Sequence, residues 1–203
     1  MKRFLKKIKY KVEAIFYILQ RTIFSPFLKV KVPLNSKIIV DTHVKFHKGT
    51  RIIFYGGSAN IGQDSIICND SKFIIGLEGK LKIGHKCILG EYGIYNVFSD
   101  LIIGNNVITA DRVSFVTNNH KYEDINTPIK DQPSTSKEII IGDGTWIGMN
   151  ATILAGSRIG KNCVVAAHSV VKGEYPDYCV IGGIPSHILK MYNANTGAWE
   201  KVD

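Results

Sequence analysis

Hydrophobic residues recur every six positions over a long stretch of this chain. Residues 141–176 divide into IGDGTW, IGMNAT, ILAGSR, IGKNCV, VAAHSV and VKGEYP, and an aliphatic residue opens every unit. The same frame gives IGHKCI and LGEYGI from Ile83, and IGNNVI, TADRVS and FVTNNH from Ile103, with Thr109 and Phe115 as weaker opening residues. A fixed short period is the signature of a repeat architecture. The pattern predicts an all-β fold, a parallel β-helix of hexapeptide repeats in which three units complete one triangular coil.

Interruptions of this period indicate where the chain leaves the coil. The intervals Ile61–Ile83 and Ile83–Ile103 exceed eighteen residues, which predicts small outward loops. The large break follows His120, where KYEDINTPIKDQPSTSKE is polar, contains two prolines and matches no repeat. Long loops on a regular scaffold are usually functional. We therefore predict a β-helix domain over residues 31–190 with an excursion loop over 118–138 and a C-terminal tail over 191–203. Residues 177–203 are expected to cap the C-terminal end of the coil.

The N-terminal region, residues 1–30, has a helical period instead. Its apolar residues are spaced by three and four, with lysines largely between them, at Leu5, Ile8, Val12, Ile15, Phe16, Leu19 and Ile23. This spacing predicts a basic amphipathic helix that ends before Ser25-Pro26. Its apolar stretch is too short to span a bilayer and lacks the features of a signal peptide. Two interpretations stay open: the helix packs on the body or a subunit contact, or residues 1–24 bind a membrane surface.

Charge is concentrated in the same region. The formal net charge is +9. Residues 1–31 hold nine Lys and Arg against the single acid Glu13, which leaves the rest of the chain at about +1. This asymmetry favours contact with an anionic phospholipid leaflet over nucleic acid, for which no zinc-finger or aromatic RNA-binding motif is visible. The four cysteines form no Cys-x-x-Cys pair and are expected to be reduced core residues, which predicts a cytoplasmic protein. The basic N-terminal region predicts in addition that the protein is peripheral at the inner face of the plasma membrane.

Three segments together carry a family resemblance. They are Asn118-Asn119-His120 before the excursion, residues 141–148 (IGDGTWIG) after it, and Gly182-Gly183-Ile184-Pro185 near the end. With them, residues 55–190 resemble the hexapeptide-repeat acyltransferases of the maltose, galactoside and xenobiotic O-acetyltransferase type, which include enzymes that decorate bacterial polysaccharides. The resemblance implies a left-handed coil, acetyl-CoA as co-substrate without a metal, and a homotrimer with active sites between subunits.

Acetyl transfer to a hydroxyl requires a base for the departing proton and donors for the developing oxyanion. His120 stands where the family has its catalytic histidine, so we expect it to be the base. The resemblance places the backbone N–H groups of Gly148 and Met149 at the thioester. The expected function is O-acetyl transfer from acetyl-CoA to a sugar hydroxyl, in the biosynthesis of a cell-surface polysaccharide such as capsule, O-antigen or exopolysaccharide.

The resemblance also implies a cofactor-binding set. Trp146 would flank the pantetheine arm, and the small Ala166 and Ala167 would let the cofactor lie against the coil. Basic side chains near the end would meet its phosphates, at Lys172, His187 and Lys190. The chain departs from the family here, since Ala166-Ala167-His168-Ser169 stands where Gly-Ala-Gly-Ser is common.

The coil before His120 is expected to line the acceptor pocket. This points to Tyr92, Tyr95 and Asn96 in EYGIYNVFSD, together with Asn118. Aromatic rings with polar tips stack on sugar faces and donate to hydroxyls, although ordinary edge packing explains tyrosines equally well. The acidic N-terminal substrate residue of the small-sugar enzymes has no match, which favours a polysaccharide or a lipid-linked sugar as acceptor.

Three alternatives stay open at this point. The first keeps the fold but acetylates an amine, on an amino sugar or an antibiotic. The second is a zinc hydratase resembling the γ-type carbonic anhydrases, which needs a His-x4-His pair; Ile125 stands where the second histidine would follow His120, which argues against zinc. The third is a non-catalytic β-helix module.

Overall fold

A computed structural model of the protein describes residues 28–31, 33 and 36–202, and over them the chain winds into a parallel β-helix of seven coils. The amphipathic helix predicted for the N-terminal region lies outside the described residues. Within the described part of the chain, no helix is long and apolar enough to cross a membrane.

Each coil contributes three short strands. The first four coils comprise β1 (Lys29–Lys31), β2 (Lys37–Val40) and β3 (Lys45–Phe46); β4 (Arg51–Phe54), β5 (Ser58–Ile61) and β6 (Ile66–Ile67); β7 (Lys72–Ile75), β8 (Lys80–Ile83) and β9 (Ile88–Leu89); and β10 (Ile94–Val97), β11 (Leu101–Ile103) and β12 (Ile108–Thr109). The fifth coil begins with β13 (Ser114–Val116) and then leaves the solenoid through β14 (Asn118–His120), a 3₁₀ turn (Ile129–Asp131) and β15 (Ser134–Ser136). It returns with β16 (Ile139–Ile141) and β17 (Trp146–Ile147), and the last two coils are β18 (Thr152–Leu154), β19 (Arg158–Ile159) and β20 (Val164–Val165), then β21 (Val170–Val171), β22 (Glu174–Tyr175) and β23 (Cys179–Gly183).

Equivalent strands of successive coils stack into three parallel sheets, which form the sides of a triangular prism. Sheet A has the order β1-β4-β7-β10-β13-β18-β21, and sheet B has the order β2-β5-β8-β11-β16-β19-β22. Sheet C runs β3-β6-β9-β12-β17-β20-β23 and is extended by two antiparallel strands, β24 (Ser186–Asn193) and β25 (Ala198–Lys201). We name the prism edges AB, BC and CA after the sheets they join. The β-helix predicted from the hexapeptide pattern is confirmed.

The opening residues of the hexapeptides form the core. All six in residues 141–176 are buried, namely Ile141, Ile147, Ile153, Ile159, Val165 and Val171. The two weaker opening residues, Thr109 and Phe115, are buried as well. Thr109 is tolerated inside because its hydroxyl accepts a hydrogen bond from the Gly90 N–H group at 3.0 Å. A single residue per side therefore stacks on its equivalent in the next coil, which is the physical origin of the six-residue period.

Cysteines fill small inward positions of this core. All four are free thiols; Cys87, Cys163 and Cys179 are buried, and Cys68 is half-buried. The Sγ atoms of Cys163 and Cys179 lie 3.6 Å apart in adjacent coils. Burial raises the pKa of the Cys179 thiol, and the neighbouring Cys163 adds to the effect. These thiols are packed as small apolar groups, in line with the prediction of reduced core residues.

The extra residues of the middle coils all lie on the AB edge. From Phe73 to Ile83 the chain takes ten residues, and from Tyr95 to Ile103 it takes eight, where the regular interval between buried residues is six. The excursion between Val116 and Ile139 leaves from the same edge, because it connects a strand of sheet A with a strand of sheet B. The AB edge thus carries the extra residues, while the BC and CA edges keep the six-residue interval.

The C-terminal end is closed by an antiparallel meander. Strand β24 turns back along β23, and β25 pairs with β24. The boundary predicted between residues 190 and 191 falls inside β24, so the cap and the tail form one unit. A repeat pattern cannot reveal this, because the meander follows the two-residue alternation of strands and no longer has a six-residue period.

Candidate functional site

The excursion carries His120 on a β-hairpin at the AB edge. Strand β14 pairs with β15 so that Asn118 lies opposite Ser136 and His120 lies opposite Ser134. Directly opposed residues of an antiparallel pair project from the same face. His120 is solvent-exposed and therefore shares one face of the hairpin with an amide and two hydroxyl side chains.

Thr117 joins the His120 hairpin to the preceding coil. Its buried hydroxyl accepts hydrogen bonds from the N–H groups of Phe98 at 2.8 Å and Ser99 at 3.1 Å, and donates to the Asn96 carbonyl at 3.1 Å. The Thr117 carbonyl accepts from the Lys137 N–H group at 2.9 Å. Both ends of the excursion are therefore anchored at one residue.

Gln132 organises the interior of the excursion. Its buried amide donates to the carbonyls of Asp124 and Thr127, both at 2.8 Å. The Thr127 hydroxyl and the Asn126 N–H group bond the Asp124 carboxylate, and these hydrogen bonds hold its pKa below the usual value. The loop is thus folded around a buried amide, and its apolar tip residue Ile125 is 93% exposed.

A cleft of about 290 Å³ lies where the hairpin meets the AB edge. The excursion contributes polar groups to its wall, and the preceding coils contribute large apolar groups and one carboxylate. Its lining residues are Asn118, Ser134 and Ser136 on one side, and Tyr55, Gly76, Leu77, Glu78 and Phe98 on the other. Asn118, predicted to contact the acceptor, is therefore in a cleft on the His120 face of the hairpin. Hydroxyl and amide groups beside aromatic rings suit a polyhydroxylated ligand.

Trp146 lies on a different side of the prism, on the outer face of sheet C. It stands between Ile108 and Val164 on the neighbouring strands, and 52% of its surface is exposed. Ile88 extends the same row one strand further. The outer face of sheet C therefore presents an apolar stripe that suits a long, thin, partly apolar ligand.

The two N–H groups predicted at the thioester differ in availability. The Gly148 N–H group donates to the Val165 carbonyl at 2.8 Å, because the strand ladder continues one residue past β17. It therefore has no free direction for an oxyanion, and Gly148 serves instead by its lack of a side chain. The Met149 N–H group donates to no acceptor among the described residues, while its carbonyl accepts from the His168 N–H group at 2.8 Å. Met149 remains the candidate donor.

Ala166 and Ala167 occupy the equivalent turn one coil further on. The Ala166 N–H group donates to the Ile181 carbonyl at 2.8 Å, and Ala167 is exposed. A Cβ atom at Gly148 would lie 2.6 Å from the Ala167 nitrogen, so the two turns are in close contact. Trp146, Met149 and the two alanines thus form one continuous surface along sheet C and the CA edge.

The three predicted phosphate contacts are all at the C-terminal end of the solenoid. His187 and Lys190 are exposed on β24, and Lys172 is exposed after β21. The Tyr175 hydroxyl links the two segments, since it donates to the Lys172 carbonyl at 3.3 Å and lies 2.6 Å from the Ser186 hydroxyl. His187 and Lys190 therefore lie at the end of sheet C beyond Trp146, whereas Lys172 lies at the AB edge of the last coil.

Tyr95 is not at the surface, which corrects its predicted role in acceptor binding. It is fully buried, and its ring stacks between Phe73 and Phe115 with centroid distances of 4.2 and 5.2 Å. The sequence contained the signal for this placement, because Tyr95 follows Leu89 by six residues and so occupies the opening position of a hexapeptide.

Tyr92 and Asn96 are also apart from the cleft. Tyr92 is in a turn at the CA edge with a φ of 57°, and the Arg112 guanidinium lies 5.3 Å from its ring centroid. That edge is across sheet A from the excursion. Asn96 is half-buried on the outer face of sheet A and reaches the site only through its carbonyl bond with Thr117. Of the four residues predicted for the acceptor, the structure brings only Asn118 into the cleft.

Within one protomer, the predicted base and the predicted thioester surface face away from each other. His120 projects from the AB edge, and in a three-sided prism that edge is opposite sheet C. Trp146 is on that opposite sheet, and Met149 lies just past its end. The two groups of predicted site residues therefore lie on opposite sides of a single chain.

Comparisons with known proteins agree with this architecture. Residues 138–173 match the family described as bacterial transferase hexapeptide (six repeats). Over 170 residues the chain is 30% identical to WbbJ of Escherichia coli K12, named as a lipopolysaccharide biosynthesis O-acetyl transferase, and the match covers 77% of this chain and 87% of that protein. The chain belongs to the bacterial hexapeptide-repeat acyltransferase family.

Two further proteins are similar to this chain. A Mycobacterium tuberculosis protein named as an acetyltransferase is 38% identical over 121 residues, which is 60% of this chain and 40% of that protein. The chain thus spans well under half of this relative. The crystal structure of NeuO, titled a polySia-specific acetyltransferase, superposes with a TM-score of 0.71 at 24% identity, covering 90% of this chain and 83% of that one. This structural likeness supports the family fold.

The residues that line the cleft opposite the hairpin were not predicted from the sequence or from the family resemblance. Tyr55, Leu77, Glu78 and Phe98 lie in the irregular segments of coils two to four, and Ser134 and Ser136 lie in the excursion. The interrupted repeat intervals were visible in the sequence. That all of them fall on one edge of the prism follows only once each interruption is assigned to a corner.

Proposed function

We propose that this protein transfers an acetyl group from acetyl-CoA to a sugar hydroxyl of a cell-surface polysaccharide or its lipid-linked precursor. The observation that carries the proposal is the position of His120, on a hairpin face that adjoins a cleft of hydroxyl, amide and aromatic groups, in a chain of the hexapeptide-repeat acyltransferase family. Relatives named as lipopolysaccharide and galactoside O-acetyltransferases support a sugar acceptor.

The reaction needs one proton carrier and one oxyanion donor. The imidazole of His120 takes the proton of the acceptor hydroxyl as its oxygen attacks the thioester carbonyl carbon, because histidine exchanges protons near neutral pH. The Met149 N–H group donates to the oxygen that gains negative charge. The carbon–sulfur bond then breaks, the proton passes from His120 to the departing CoA sulfur, and the acetyl ester remains on the sugar.

We propose that the two groups of site residues meet between subunits of a homotrimer. His120 of one protomer would face the Trp146 and Met149 surface of the next, because one chain directs them to opposite sides of the prism. A head-to-tail contact that closes after three subunits gives three identical sites. Acetyl-CoA would lie along this surface, with its pantetheine arm at Trp146 and Ala167 and its phosphates near Lys172, His187 and Lys190.

We further propose that the enzyme works in the cytoplasm at the inner face of the plasma membrane. The basic residues of the N-terminal segment, residues 1–24, favour contact with anionic lipid headgroups. A lipid-linked acceptor would be presented at that surface.

The test is acceptor-dependent acetylation by the purified protein and by its His120→Ala variant. Both are incubated with acetyl-CoA and a panel of glycans, and free CoA thiol and acetylated product are followed by mass spectrometry. We expect the variant to lose activity by roughly a hundredfold or more, because general-base catalysis contributes that much. The matched control is His85→Ala, which removes an exposed histidine at the BC edge. Equal turnover in the wild type and His120→Ala, or transfer confined to amine acceptors, would contradict the proposal.

A further inference from the structure

An exposed ladder of large apolar side chains follows the AB edge toward the His120 hairpin. Tyr55, Leu77 and Phe98 belong to coils two, three and four, and they are 60%, 70% and 38% exposed. Thr117 and Asn118 continue the edge into coil five. Single exposed apolar residues are ordinary, but three in consecutive coils beside a polar hairpin form a built surface. We call Tyr55, Leu77 and Phe98 the edge ladder.

Two glycines hold the edge ladder flat against the prism. A Cβ atom at Gly76 would lie 2.6 Å from the Phe98 ring, and one at Gly56 would lie 2.8 Å from the Leu77 Cα atom. The Phe98 ring therefore lies across the Gly76 backbone of the coil before it. The backbone of Phe98 is fixed by its hydrogen bond to the Thr117 hydroxyl. Thr117 thus positions the edge ladder and also anchors the His120 hairpin.

The edge ladder is longer than a single sugar ring. Tyr55 and Asn118 are three coils apart, and three inter-strand spacings of about 4.8 Å give a length of about 14 Å. Along this length the cleft offers aromatic rings on one wall and the Asn118, Ser134 and Ser136 side chains on the other. Its charged lining residue is the carboxylate Glu78, and Asp100 lies on the same edge near Lys80 at 3.9 Å.

From these observations we infer that the edge ladder is a subsite for an uncharged glycan chain of at least three sugar units, which it holds so that one unit reaches His120. Sugar rings would stack on Tyr55 and Phe98, and their hydroxyl groups would bond Asn118 and the two serines. The carboxylate of Glu78 disfavours acidic sugars and accepts hydrogen bonds from neutral ones. This inference rests on the proposed function and specifies its acceptor as a polymer rather than a monosaccharide.

The experiment measures binding separately from transfer. The full-length His120→Ala protein is applied to an array of bacterial and synthetic glycans of one to six units, both uncharged and sialylated, and dissociation constants for bound glycans are then measured by calorimetry. Affinity for an uncharged series should rise about a hundredfold from one to three units, about tenfold for each further sugar. In the same background, Tyr55→Ala and Phe98→Ala should each weaken trisaccharide binding by about tenfold and leave monosaccharide binding unchanged, because each ring stacks on one further sugar.

The matched control is Trp199→Ala, which removes an exposed aromatic from the C-terminal meander. Binding without dependence on chain length, binding confined to sialylated glycans, or no binding to the array would overturn the inference. A smaller oligomer for Tyr55→Ala or Phe98→Ala in sedimentation would also overturn it, since the ladder would then contact a second copy. If glycan binding depends on chain length but the wild-type protein transfers no acetyl group, the proposed function is contradicted and this inference stands.

Discussion

At the scale of single residues, Tyr95 is a polar side chain with an apolar role. Its ring is sandwiched in the core between two phenylalanines, and its hydroxyl oxygen is buried without a hydrogen-bond partner among the described residues. Burial raises the pKa of this hydroxyl, and the nearby Thr109 side chain offsets the effect only in part. A buried unpaired hydroxyl destabilises the native state.

We therefore expect Tyr95→Phe to raise the free energy of unfolding by about 1 kcal/mol, because the substitution removes the unpaired oxygen and keeps the stack. Tyr95→Ala should lower it by about 3–5 kcal/mol, since it leaves a cavity between the two rings. Urea denaturation of the three proteins measures both changes. Acetyl transfer by Tyr95→Phe should equal that of the wild type, and a loss of activity with stability retained would restore Tyr95 to the acceptor site.

The role of a residue could be predicted from the sequence where it depends on the six-residue repeat. It could not be predicted where it depends on the conformation of a corner between two sheets. The six-residue frame identifies buried positions, and the position of Tyr95 could have been derived from it. Whether the Gly148 N–H group is free depends on how far the strand ladder runs past β17, which no residue type signals. The lining of the cleft depends on which corner receives each insertion, so Phe98 and Tyr55 became visible only in the folded coil.

At the scale of elements, the excursion depends on the buried amide of Gln132. Gln132→Glu keeps the shape of this side chain but replaces the group that donates to the Asp124 and Thr127 carbonyls with a carboxylate. Three oxygens would then face one another, and leaving buried acceptors unpaired costs about 1–3 kcal/mol each. We expect the loop to open while the coil stays folded.

Limited proteolysis reports this directly, with cleavage between residues 121 and 133 at least tenfold faster in Gln132→Glu and the thermal midpoint nearly unchanged. Acetyl transfer should fall about tenfold, because the hairpin that carries His120 is part of the same loop. The control is Gln63→Glu, at an exposed glutamine of the BC edge. If the excursion of Gln132→Glu were as resistant as that of the control, Gln132 would have no organising role.

The elements differ in how far the sequence specifies them. A six-residue period is a long-range pattern with many repeats, so the coil strands between Ile83 and Phe115 and between Ile141 and Val171 could be predicted together. The C-terminal meander depends on two turns and on pairing with a single strand, β23. It carries no repeated signal, and its residues were predicted only as a cap and a tail.

At the scale of the whole molecule, the prism separates the predicted base from the surface predicted to bind the thioester. A side chain on the AB edge and a surface on sheet C cannot meet in one chain, whatever the rotamers, because the core lies between them. Sequence spacing alone conceals this separation, since Ile141 to Gly148 follow the excursion closely. The triangular topology makes a second protomer a requirement of the proposed site, and this requirement can be tested without a structure of the oligomer.

Complementation between two inactive variants provides that test. His120→Ala removes the base, and Ala167→Trp places a large ring on the exposed surface expected to hold the pantetheine arm. Each homotrimer should be inactive. When differently tagged copies are co-expressed and doubly purified, every mixed trimer contains one interface with a wild-type His120 facing a wild-type Ala167 surface. We expect such trimers to recover about a third of wild-type turnover. Mixed trimers with no activity would show that base and thioester surface belong to the same chain, which would contradict the geometry of the prism.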